Sequence, residues 1–171
     1  MNPNKMENVQ PTSPWWENNP EMDVARRFFE VGYSYETGIG RPVDLDSAIS
    51  HYRKSAMLGY PPAQNGIGFL HATGRGVPLS ESIACDWFKR AADAGHSGAQ
   101  MNLGVMYAEG RGIEKDDTEA LCYFYKAAMS GNCEAQEFLA HALQDGLCGL
   151  PKNHDEAAFW FEQAMFERNQ N

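Results

Sequence analysis

The chain has 171 residues, 43% of them hydrophobic, and a net charge of −9. That apolar content can build a buried core and argues against a wholly disordered chain. The acidic balance opposes binding to nucleic acid or to an anionic membrane, and it favours a basic partner wherever charge contributes.

Residues 1–18 are rich in Asn, Pro and Glu, and Pro3, Pro11 and Pro14 oppose a helix there. A flexible extension is expected. Trp15-Trp16 stands out within it, because two large aromatics are costly to leave in water. The pair reads either as a cap over the apolar end of the first folded unit or as a tail that docks into a groove of this or another chain. No basic cluster followed by an apolar run opens the sequence, and no apolar stretch reaches the ~20 residues of a bilayer span. The expected location is therefore the cytoplasm, with no membrane partner.

Residues 19–171 read as one domain. Asn19-Pro20 predicts a helix start, with Asn as cap and Pro in the first turn. The helix runs to about Thr37, where Gly38 stops it, and a second helix follows a cap at Asp44. The same signals then return. Gly32, Gly38, Gly40 and Gly59 recur 36 residues later as Gly68, Gly74, Gly76 and Gly95, and again as Gly104, Gly110, Gly112 and Gly131. Ser80, Asp116 and, after a one-residue shift, Asn153 take the place of Asp44. Glu119 and Glu156 stand three residues past their caps, as in a capping box. A fixed period of this length is the mark of stacked helical pairs. The expected fold is all-α, a solenoid of four helix-turn-helix units at about 19–59, 60–95, 96–131 and 132–168.

The core pattern follows the same register. Ala48, Ala84, Ala120 and Ala157 align, as do the pairs His51-Tyr52, Trp87-Phe88, Tyr123-Phe124 and Trp160-Phe161. In the first helices Val31, Ile67, Leu103 and Leu139 are each followed by Gly or Ala, which predicts close helix contact at that site. The fourth unit has a turn one residue longer, and it ends in Arg168-Asn169-Gln170-Asn171, suited to a terminal unit with a wetted outer face. Cys85, Cys122, Cys133 and Cys148 ignore the period, so they read as reduced thiols rather than a disulfide framework.

The third unit, Ala99-Gln100 through Leu103-Gly104, Tyr107, Gly110-Arg111-Gly112-Ile113, Asp116 and Ala120, to Tyr123-Phe124 and Lys126-Ala127-Ala128, closely resembles the Sel-one-like repeat of the tetratricopeptide-related α/α solenoids. The second unit matches well; the first and fourth are degenerate. The resemblance implies a right-handed superhelix whose first helices line a concave face. It also implies a non-catalytic scaffold or adaptor for a protein or peptide partner, or an acidic immunity protein that neutralises a toxin or effector enzyme. On that face the positions two before and two after the Leu-Gly site form one stripe at i, i+4 spacing: Phe29 and Tyr33, Asn65 and Phe69, Met101 and Val105, Glu137 and His141. These are the candidate partner-binding residues; the alternative for the aromatics is packing between neighbouring helices.

No catalytic chemistry is expected. Cys133, His141, Cys148 and His154 share the last unit, but Cys133 and His141 would lie about 12 Å apart along a helix, too far for one zinc ion. The Gly-x-Gly turns follow helices, not strands, so they are not phosphate loops. No cofactor is expected.

Overall fold

Capping side chains and left-handed glycines place the helix ends. In the computed structural model, which describes residues 14–169, eight α-helices follow a short 3-10 turn, Pro20–Met22. They are α1 (Asp23–Thr37), α2 (Leu45–Met57), α3 (Pro61–Thr73), α4 (Glu81–Asp93), α5 (Ser97–Glu109), α6 (Asp117–Met129), α7 (Cys133–Asp145) and α8 (His154–Arg168). Asn19 caps the 3-10 turn, so the first α-helix starts at Asp23, later than Asn19-Pro20 suggested. The caps at the even-numbered helices are in place. Asp44 accepts from the Ser47 N–H at 3.0 Å and Asp116 from those of Thr118 and Glu119. Ser80 and Asn153 do the same for Ile83 and Glu156. Glu156 closes its box through the Asn153 side-chain amide, which donates to it at 3.0 Å, rather than through the backbone.

Each helix packs extensively on its neighbours in sequence, first within a pair and then onto the next pair. The four units stack into a right-handed α/α solenoid, and no strand occurs among the described residues. The glycine after the first-helix core residue has a direct packing reason. A Cβ on Gly68 would lie 2.7 Å from the Phe88 ring, and one on Gly104 would lie 2.7 Å from Phe124. Gly32 receives Tyr52 in the same way. In the fourth pair Ala140 supplies the methyl; Phe161 is only half-buried, and its edge meets His141 at 5.0 Å.

The second turn glycine couples units. Gly112 rests on the backbone of Glu81 and Ser82 at the start of α4, and Gly76 on Ile49 and Leu45 of α2. Buried glutamines add a repeated stitch. Gln64, Gln100 and Gln136 each donate to a carbonyl of the preceding second helix, those of Ala56, Ala92 and Ala128. Ile67, Leu103 and Leu139 are buried, whereas Val31 is half-buried. At the other end Met165 and Phe166 of α8 are exposed alongside the polar Glu162, Arg168 and Asn169.

Candidate binding face

The odd-numbered helices carry the predicted stripe. Tyr33 on α1 and Phe69 on α3 occupy the same place in successive units, and each is 49% exposed. About half of each side chain's surface is therefore open, one residue along from Gly32 and Gly68, where Tyr52 and Phe88 pack closely. Thr37 and Thr73, one turn further on, donate their hydroxyls to the Tyr33 and Phe69 carbonyls at 2.8 Å, which satisfies both polar groups locally. Asn65 reaches the next unit and accepts from the Asn102 amide at 3.0 Å.

The other predicted residues are drawn into the fold to different degrees. Phe29 packs into the core, 5.3 Å from the Tyr52 ring and 5.6 Å from that of Tyr60. Met101 and Val105 are half-buried against the cluster built on α6, α7 and α8, which includes Phe138. Glu137 pairs with Arg168 at 2.6 Å. His141 lies against Phe161. Of the predicted stripe Tyr33, Phe69 and His141 are exposed, whereas Phe29, Asn65, Met101, Val105 and Glu137 are partly buried, so Tyr33 and Phe69 are its open aromatics.

Trp16 supplies a contact that the sequence alone did not place. It is buried, edge-on to Tyr60 at 5.7 Å and stacked on His96 at 5.9 Å, while Trp15 is exposed. It joins the core cluster that holds Ala25, Ala48 and Tyr52 of the first pair and reaches on to the caps of α3 and α5. His96 caps α5 through Nδ1, which accepts from the Ala99 N–H at 3.1 Å, so the ring proton sits on Nε2. Burial pushes its pKa down to about 4. The sequence signals were present: an out-of-place Trp pair, and a His at the aligned cap position where the fourth unit has Asn132.

On the opposite side, an open depression of about 440 Å³ lies between α2 and the 76–78 turn, with Arg53, Lys54, Ile49 and Met57 in its wall. Tyr52 donates to Glu36 at 2.6 Å, and Arg75 donates to the same carboxylate at 2.6 Å, tying the first unit to the second. Burial, then Glu36, raises the Tyr52 pKa far above the ordinary phenol value. Burial also pushes Cys85 up to about 11, and its thiol contacts the Met106 sulfur and the Arg111 carbonyl. All four cysteines are free, and no three His, Cys, Asp or Glu side chains converge among the described residues.

The Sel1 repeat family model matches residues 29–60, 61–96, 97–132 and 133–164. The chain belongs to the Sel1 repeat family. Among solved structures it is similar to a protective antigen of uropathogenic Escherichia coli with an SLR fold, at 35% identity and a TM-score of 0.75 over 84% of this chain and 30% of that one. It is also similar to a Sel1 repeat protein of Oxalobacter formigenes, at 30% identity and a TM-score of 0.77 over 82% of this chain and 56% of that one. This chain thus spans about a third and about half of those two Sel1 relatives. An immunity protein of Pseudomonas aeruginosa shares the fold at 17% identity, with a TM-score of 0.54 over 84% of this chain and 68% of that one. A comparison with curated proteins found no match. Sel1 repeat proteins generally mediate protein–protein interaction. Among the described residues no helix is long and apolar enough to cross a membrane.

Proposed function

We propose that this Sel1 repeat chain is a non-catalytic scaffold that binds a peptide or protein segment along the concave face of its odd-numbered helices, with Tyr33 and Phe69 as the anchors. The observation that carries the reading is the pair of large aromatics exposed at one aligned place in consecutive repeats. Buried aromatic anchors dominate protein interfaces. Asn65, Met101, Val105, Glu137 and His141 would border the path, and Phe29 would support it from beneath.

The test is a displayed random-peptide library selected on the intact chain, with affinities remeasured on Tyr33→Ser/Phe69→Ser. Selected peptides are expected to lose about ten-fold or more in affinity, the scale of a lost aromatic hot spot. Undiminished binding by a helical double variant overturns the assignment of the face.

The net charge of −9 favours a narrower form of the same reading, an acidic inhibitor that neutralises a basic toxin or effector enzyme. Selected partners would then be basic, and their association rates would fall steeply with added salt.

A further inference from the structure

Residues 14–19 form no α-helix, yet they bury one of the largest side chains in the molecule: Trp16 is 8% exposed. Its walls, Tyr60 and His96, are aligned cap residues of successive repeats, so they exist whether or not the segment is present. Arg26 of α1 grips the segment's backbone, donating to the carbonyls of Glu17 at 2.6 Å and Trp16 at 3.4 Å. An indole and two backbone carbonyls are what these groups recognise, and they are presented from a turn closed by the Glu17 N–H donating to the Pro14 carbonyl at 3.0 Å, so a turn-forming segment that carries a tryptophan can present them.

Two further features mark Trp16 as a displaceable occupant. Its indole N–H is buried with no hydrogen-bond partner, a fit that forfeits the bond the donor would make in water. Trp15 beside it is 57% exposed and adds far less buried surface. The socket also joins the proposed binding face. Arg26, Phe29 and Tyr33 follow one another along α1 at spacings of three and four residues, which puts them on one side of that helix.

We propose that the socket formed by Tyr60, His96 and Arg26 is a tryptophan-accepting subsite for a turn-forming segment of a partner protein, held shut by Trp16 of the chain itself. The inference rests on reading the odd-numbered helices as the binding face, and it extends that face to the caps of α3 and α5. Binding through this subsite requires Trp16 to leave, so the segment around it acts as an intramolecular competitor.

The probe is a labelled synthetic peptide copying residues 12–19, followed by fluorescence anisotropy against the full chain. Trp16→Ala is expected to bind it at least about ten-fold more tightly than the intact chain does, in line with the weight of a single buried tryptophan at an interface. A peptide with Ala in place of its second tryptophan should not bind. Adding His96→Asn, which keeps the α5 cap and removes the stacking ring, should abolish binding. If Trp16→Ala does not fold, Trp16→Leu retains an apolar filler without a planar face, and the same gain is expected. A helical variant that ignores the peptide, or that takes the tryptophan and alanine peptides equally, overturns the proposal. Because the probe does not depend on Tyr33 or Phe69, that result would leave the reading of the groove standing.

Discussion

His96 does two jobs at the scale of one residue. Its Nδ1 completes the first turn of α5, and its ring forms one wall of the Trp16 socket. Both need the neutral imidazole. A protonated ring would lose the acceptor and place a cation beside the positive end of the helix dipole. Its folded-state pKa, lowered to about 4, lies below the ordinary value of about 6.5. Above pH ~6.5 the contribution is fully present; below it the unfolded chain takes up the proton first, and stability is lost as pH falls towards 4. His96→Asn keeps a cap of the kind Asn132 provides but does not titrate. Urea denaturation across this range is expected to show the unsubstituted chain losing up to about 3 kcal/mol relative to the variant by pH ~4. Parallel curves would show that the ring is not buried neutral. Gly104 makes the complementary point by what it lacks: its missing Cβ is the space that Phe124 fills.

Between elements, the stitch of Gln64, Gln100 and Gln136 explains why the Ala-Gln pair recurs at the start of α3, α5 and α7. The last carbonyls of a helix have no partner within it, and here they are covered by the next unit, away from water. Gln136 is 3% exposed and reaches the Ala128 carbonyl at 2.9 Å. Gln136→Ala removes one of two hydrogen bonds to that carbonyl, the other coming from the Gly131 N–H at 3.1 Å, and is expected to cost about 1 kcal/mol in urea denaturation. Gln144→Ala, on the exposed side of the same helix, should stay within about 0.5 kcal/mol of the original. Equal effects at the two positions would remove the stitch from the account.

Across the whole molecule, packing runs from each unit to the next, and no central core gathers all eight helices. Stability in such a stack is close to a sum of unit and interface contributions. A chain ending at Asn132 should therefore remain helical. It should unfold with a denaturant slope reduced by about a quarter, since that slope follows the surface exposed on unfolding. Complete loss of helix would mean that the fourth pair is needed to organise the other three. Burial at one aligned site varies along the stack: Val31 is half-buried where Ile67, Leu103 and Leu139 are buried.

The period, most helix ends and a close helix contact at the aligned glycines could be read from the chain alone; which ring fills each glycine's space could not. The legible features each depend on residues within one or two turns of one another, or on a pattern that repeats four times and so reports its own register. The tertiary structure decided which aromatics are used up inside. Phe29 and Tyr33 carry the same signal in sequence, but only the position of Tyr52 and Tyr60 sends one ring into the core and leaves the other open. It also decided where Trp16 goes, since its two partners lie in different repeats and meet only after those repeats have stacked. Local rules fix helices and turns because they act through neighbouring backbone groups. A contact between distant segments depends on the curvature summed over every unit between them, and no single stretch of sequence carries that sum.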